Sequence, residues 1–200
     1  DQCNNKDITI LNNLANTLRT NYGYEPGGFL DNTEEVKADR IATRIDWNIS
    51  DKHKLTLSNR YTKGERLNTS TSSSGTINFY NNGYSFPTRS NSTSAELKSV
   101  VGRNASNKLL ITFTDVSDDR RPLGQDFPRV RINDGSGAII FGPDNSSTVN
   151  LLTQKNWTVF NEFKFTAGKH GLKVGVDWEY SGVFNAFIQN TFGNYTFPNL

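Results

Sequence analysis

The chain has 200 residues, of which 34% are hydrophobic, 21% charged and 12% aromatic, with a formal net charge of +2 and a mean hydropathy of −0.62. No run of about 18 apolar residues exists, which excludes a transmembrane helix, and abundant aromatics at so small a net charge exclude a disordered chain. The 22 Lys and Arg are scattered among 20 Asp and Glu, so the pI of 8.6 marks no clustered basic face, and no nucleic-acid partner is expected. Residues 7–22, "DITILNNLANTLRTNY", place Ile8, Leu11, Leu14 and Leu18 at helical spacing, with Asp7 as cap and "GYEPGG" at 23–28 as stop. From position 41 the period becomes two. Ile41, Thr43, Ile45, Trp47 and Ile49 alternate with Ala42, Arg44, Asp46 and Asn48, which predicts a strand with one apolar side.

A polar turn, "SDKH" at 50–53, leads into a second strand in which Leu55, Leu57 and Tyr61 alternate with polar residues, so 41–63 reads as a hairpin. The stretch 64–94 is rich in Asn, Ser, Thr, Gly and Tyr and has no sustained periodicity. The same unit returns at 95–116, where Ala95, Leu97, Val101, Leu109, Ile111 and Phe113 form the apolar set around a turn near "NASNK". A long connection, 117–155, separates it from a third hairpin at 156–182. There Trp157, Val159, Phe163 and Phe165 lead through "AGKHG" to Leu172, Val174, Val176, Trp178 and Tyr180. Residues 183–200 read as a last, aromatic loop.

Short turns and long loops therefore alternate, which places all short turns at one end of the sheet. Compact soluble domains seldom carry several structureless connections of this length, whereas transmembrane β-barrels combine short periplasmic turns, long extracellular loops and one-sided strands. The faces agree. Arg44, Asp46, Lys98, Glu162, Lys164, Asp177 and Glu179 fall on the polar side, while Trp47, Tyr61, Trp157, Trp178 and Tyr180 fall on the apolar side as a lipid-facing aromatic girdle would. A secreted or surface β-sandwich, an adhesion or carbohydrate-binding module with these aromatics in one core, is the alternative that the pattern leaves open.

The phrases "RIDWNISDKHKLTLSNRYTKG" and "FTAGKHGLKVGVDWEYSGVFNAFIQNTFGNYTF" resemble paired barrel strands of TonB-dependent outer-membrane receptors, notably the Oar-like branch, and "YGYEPGG" and "FPRVRI" are similar to phrases of that branch. The resemblance covers most of residues 7–200. It implies a barrel of about 22 strands around a plug, energised through TonB, in the outer membrane of a Gram-negative bacterium. It further implies a role in taking up an unidentified nutrient or ligand. Neither the plug nor the TonB box has a match here, so the expectation is an all-β interior segment of about six up-and-down strands. Its loops, 1–40 with the short helix, 64–94, 117–155 and 183–200, would be extracellular.

Candidate chemistry is sparse. His53 and His170 sit in short turns, and Cys3 is the chain's single cysteine, so no metal site, disulfide framework or cofactor is expected. Asp177 and Glu179 share a strand face, as a glycosidase pair would, but a place on the wall of a wide wet lumen is the role expected of them. No nucleophile elbow, phosphate loop or zinc helix motif is present, and no enzyme is expected. Sequon-like triplets at Asn68, Asn91, Asn145 and Asn156 arise by chance in so Asn-rich a chain. Ligand contact is expected instead from the loops: Tyr80, Tyr84 and Phe86 for stacking, and the charge cluster Asp118, Asp119, Arg120 and Arg121 for anionic or sugar-like groups.

Overall fold

The computed structural model describes residues 8–30 and 32–199. Cys3 and the Asp7 cap lie outside them. Ten strands, one α-helix and one 3-10 turn follow in the order α1 (Ile8–Tyr22), β1 (Glu35–Ser50), β2 (His53–Asn68), β3 (Thr76–Asn78), the 3-10 turn (Tyr80–Asn82), β4 (Tyr84–Val101), β5 (Ala105–Pro122), β6 (Arg129–Asp134), β7 (Gly137–Phe141), β8 (Val149–Ala167), β9 (His170–Ile188) and β10 (Asn194–Phe197).

Six long strands form one antiparallel sheet in the order β1-β2-β4-β5-β8-β9. They are joined in pairs by the three expected short turns: Asp51–Lys52, residues 102–104 and Gly168–Lys169. Gly102 and Gly168 take positive φ of 64° and 62° there, where a side chain would be strained. The strands are 16 to 19 residues long, which at about 3.3 Å per residue is roughly 50–60 Å. The hairpins therefore extend well beyond 41–63, 95–116 and 156–182, and the loops shrink accordingly.

The largest correction falls on residues 84–94. This Ser-, Thr- and Asn-rich stretch is the first half of β4, because β2 and β5 pair with its backbone on either side. Its polar side chains bond across the strands instead of back to their own backbone. Ser58 Oγ meets Ser94 Oγ at 2.7 Å, Ser92 Oγ meets Thr114 Oγ1 at 3.0 Å, and Asn59 Nδ2 donates to Asn91 Oδ1 and Thr93 Oγ1, both at 2.8 Å. Pro87 has no N–H to give, and the β4–β5 register skips Phe86 and Pro87.

The remaining connections fold too. A second sheet, ordered β10-β6-β7-β3, joins segments from three of the expected loops, with β6 and β7 an antiparallel hairpin and β10 and β3 added in parallel. Helix α1 covers it, and Leu11, Ala15, Leu18, Tyr24, Ile77, Phe79, Val130, Ile132, Ile139 and Phe141 form one buried cluster. The helical stripe is shifted from the expected one. Ala15 is buried, Leu14 only partly, and Ile8 is exposed. The helix ends in a left-handed cap at Gly23 (φ 63°), whose N–H bonds Arg19 O at 3.2 Å, and Tyr24 N–H bonds Leu18 O at 3.0 Å. Arg19 grips Glu25 through two bonds of 2.6 and 2.8 Å, which holds the Glu25 carboxyl below its usual range.

This cap contains the buried apolar core of the described residues, since the six-stranded sheet buries almost none of its apolar side. Trp47, Trp157 and Trp178 are 59%, 45% and 51% exposed, and every residue of β1 is exposed. A sandwich would have laid a second sheet over these residues. The four-stranded sheet packs elsewhere, under α1, which overturns the sandwich alternative.

Two outcomes test the cap as a unit. Leu11 is fully buried, so Leu11→Ala should cost the cap about 2–5 kcal/mol. Hydrogen exchange at the Phe79 and Ala138 amides, which bond Ile140 O and Gly75 O, should then accelerate while amides of β2 and β4 keep their protection. Burial pushes the Tyr24 hydroxyl up to about 12 from an ordinary 10. The folded cap thus holds this proton more tightly than the unfolded chain. Its contribution, up to about 3 kcal/mol, is complete below pH 10 and disappears as pH rises toward 12. An alkaline titration of cap exchange rates should show that loss, and Tyr24→Phe should remove it.

Candidate functional site: a one-sided wall and its cap

Register determines which residues share a face, because directly paired residues in an antiparallel sheet point the same way. On the apolar face the rows run Thr43–Asn59–Thr93–Phe113–Trp157–Tyr180, then Ile45–Leu57–Ala95–Ile111–Val159–Trp178, then Trp47–Leu55–Leu97–Leu109–Asn161–Val176. Toward the long-loop end the next rows contain Tyr61, Asp115 and Lys155, then Asp39, Lys63 and Arg89. Arg89 pairs with Asp115 at 3.1 Å. Apolar side chains thus give way to charge within about two rows, and aromatics mark the border. Tyr61, Trp157 and Tyr180 sit along it, Phe113 packs on Trp157 at 4.6 Å, Trp178 lies one row deeper, and Trp47 lies toward the short turns. From Leu172 to Tyr180 the band spans nine residues of β9, within the range of about 9–11 that a tilted barrel strand needs to cross the hydrocarbon layer.

Two amides deep in the band satisfy each other. Asn161 Nδ2 donates to Asn107 Oδ1 at 3.1 Å and Asn107 Nδ2 donates back to Asn161 Oδ1 at 3.2 Å. Reciprocal amides of this kind leave little for a hydrocarbon environment to penalise.

The opposite face is mainly polar, with Leu110 and Phe160 lying between Glu96 and Asp177 in one row. Each hairpin carries one carboxylate held between two cations: Asp46 with Arg44 and Lys54, Glu96 with Lys98 and Lys108, and Glu162 with Lys164 and Lys173. Asp177 and Glu179 lie on this face too. His53 opens β2 with Nδ1 2.9 Å from Ser99 Oγ, and His170 opens β9, both exposed. Among the described residues no group of three or more His, Cys, Asp or Glu is placed to hold a metal ion.

The seven loop residues expected to meet a ligand are divided by the fold. Asp118, Asp119, Arg120 and Arg121 are contiguous in sequence, but β5 continues through them, so alternate members point to opposite faces. Asp119 and Arg121 pair at 2.7 Å on the face of the apolar band, beyond its charged border. Asp118 and Arg120 lie on the polar face, as do Tyr84 and Phe86 on β4, which corrects the expectation that these tyrosine and phenylalanine residues sit in a loop. Arg120 stacks over the Tyr84 ring at 3.8 Å and reaches Asp144 of the cap at 3.9 Å, while its buried Nε has no hydrogen-bond partner. Tyr80 is in the 3-10 turn, its N–H bonded to Gly28 O at 2.6 Å. The fold thus brings together two pairs of the seven, Asp119 with Arg121 and, where the cap joins the wall, Tyr84 with Arg120.

Sequence reasoning did not find the cap's cleft. Leu14, Leu18, Phe127, Val130, Tyr195 and Phe197 line an apolar hollow of about 610 Å³ between α1 and the β6–β10 edge. The usable signal was "RVRINDGSGAIIF", an alternating run, an Asp-Gly turn and an apolar run, which is a hairpin signature.

The two faces predict opposite tolerances. Val176→Arg, in the middle of the band, should cost about 2–4 kcal/mol of stability in bilayers, whereas Thr112→Arg on the polar face should fall within about 1 kcal/mol of the parent. Denaturant unfolding of the membrane-embedded protein, followed by tryptophan fluorescence, measures both.

Comparison with known proteins agrees with this geometry. The family model of the outer membrane beta barrel domain matches residues 3–199. No curated protein and no solved structure gives a match. A one-sided antiparallel wall with an apolar belt of membrane height and a family match over nearly its whole length make this chain a member of the outer membrane beta barrel domain family, located in the outer membrane.

Proposed function

We propose that this chain is a segment of the barrel wall of a TonB-dependent receptor of the Oar-like branch, which takes up an unidentified solute across the outer membrane. The observation that carries the reading is the pair of open edges. β1 and β9 each pair on one side only among the described residues, and six tilted strands are too few to close around a water-filled lumen. Beyond the charged border β9 also exposes Val183, Phe184, Phe187 and Ile188 on both of its faces, surface suited to further barrel strands. In this reading the short turns face the periplasm and the cap faces outward. The cap's apolar hollow and the Tyr84–Arg120 junction then stand where a solute first meets the protein. TonB engages other parts of the receptor, the outer-membrane lipid is the partner of the apolar belt, and no catalytic step is assigned.

Spent growth medium tests the reading whatever the solute is. Wild-type cells should deplete at least one solute that persists in cultures of a strain lacking this gene and, equally, of a strain lacking TonB. Depletion of every solute at the same rate in all three strains would contradict TonB-driven uptake.

A further inference from the structure

The three carboxylate–cation triads share a layout that the barrel wall alone does not require. In each hairpin the carboxylate stands on the first strand, one cation stands two residues away on that strand, and the other stands on the second strand. One negative charge shared by two positive charges leaves each triad a net +1. Within every triad the carboxylate is less exposed than either cation: Glu96 is 19% exposed against 59% and 38% for Lys98 and Lys108, and Glu162 is 16% against 55% and 62% for Lys164 and Lys173. The acids lie underneath and the cations form the surface that water meets.

Register concentrates this charge. Lys54, Lys98 and Lys108 are direct neighbours on β2, β4 and β5, so three like charges span two strand spacings, about 10 Å. Like charges directly opposite one another destabilise a sheet, yet the row is built into three consecutive strands. It faces a hollow of about 540 Å³ at the short-turn end, where Lys52, Lys54, Lys98, Lys108 and Lys164 outnumber Asp51 and Glu162. Lys108 is further fixed over the Phe160 ring, 5.7 Å from its centroid.

We propose that the polar face at the short-turn end is a binding site for a small polyanion with charges spread over about 10 Å, a condensed phosphate or a polycarboxylate. The lysine row supplies the complementary charge, and the triad carboxylates hold the ammonium groups in place and limit their mutual repulsion. The site needs only that this face line water, as the wall of an outer-membrane barrel does, and stands independently of TonB-driven uptake.

Calorimetric titration of the full-length protein in detergent with inorganic tripolyphosphate tests this. Binding is expected at one site per barrel, weakening steeply between 50 and 300 mM salt. Lys54→Gln/Lys98→Gln/Lys108→Gln should weaken it at least tenfold, while the control Lys37→Gln/Lys63→Gln/Lys155→Gln, on the opposite face, should leave it unchanged. Glu96→Gln should strengthen binding several-fold by releasing Lys98 and Lys108, an effect that a damaged fold would not produce. Absence of tripolyphosphate binding, as when an acidic part of the protein itself covers the row, would overturn the proposal. So would equal affinity in the lysine variant, or no gain in Glu96→Gln.

Discussion

The structure depends on the pairing of backbone N–H and C=O groups where no water can reach them. Inside a hydrocarbon layer each unpaired group costs several kcal/mol, so a chain crosses as a helix or as a paired ladder of strands. Among the described residues no helix is long and apolar enough. What the chain has is a ladder with a period of two, which gives one face to lipid and the other to water. The composition follows from that constraint. Only half the positions of the membrane-height segments need be apolar, so a membrane protein can have a mean hydropathy of −0.62. Asn107 and Asn161 show the same constraint at the level of side chains, since these two amides of the apolar face satisfy each other.

Beyond the charged border the constraint disappears and ordinary globular rules take over. The strands continue as a polar trellis in which Ser, Thr and Asn bond across from strand to strand, and above them α1 and the second sheet bury a conventional core. The cap is joined to the polar face of the wall, through Arg120 against Tyr84 and Asp144. Within the cap, position 142 requires glycine. Gly142 has φ of 87°, its carbonyl accepts from Asn82 Nδ2 at 3.0 Å, and a Cβ there would collide with the Pro128 carbonyl oxygen. A cap with its own buried core is thus joined to a membrane wall at the Arg120–Tyr84–Asp144 junction.

What could be read in the sequence follows the same division. Within the membrane band, alternation is enforced by two solvents, and Ile41 to Ile49 or Leu172 to Tyr180 show their faces directly. Outside it both faces meet water, alternation has no driving force, and residues 84–94 read as a loop although they are strand. The same blindness made Asp118, Asp119, Arg120 and Arg121 look like one cluster, when the continuing strand splits them between two faces. In the cap, strands of three to six residues are completed by partners far away in sequence. Ile77 pairs beside Ile139, and Tyr195 beside Val130, contacts that no local pattern specifies.

The central claim is that one face of this wall meets lipid and the other meets water. It is tested most directly by single cysteines placed one at a time along residues 172–180 of β9, in a Cys3→Ser background, and labelled in intact outer membranes. Nitroxide-labelled positions 172, 174, 176, 178 and 180 should be relaxed by oxygen, which concentrates in lipid, and positions 173, 177 and 179 by a water-soluble nickel chelate, with Gly175 left unlabelled because a side chain there would strike the Asn161 carbonyl oxygen. Smooth variation along the strand, or oxygen preference at the odd positions, would contradict the account.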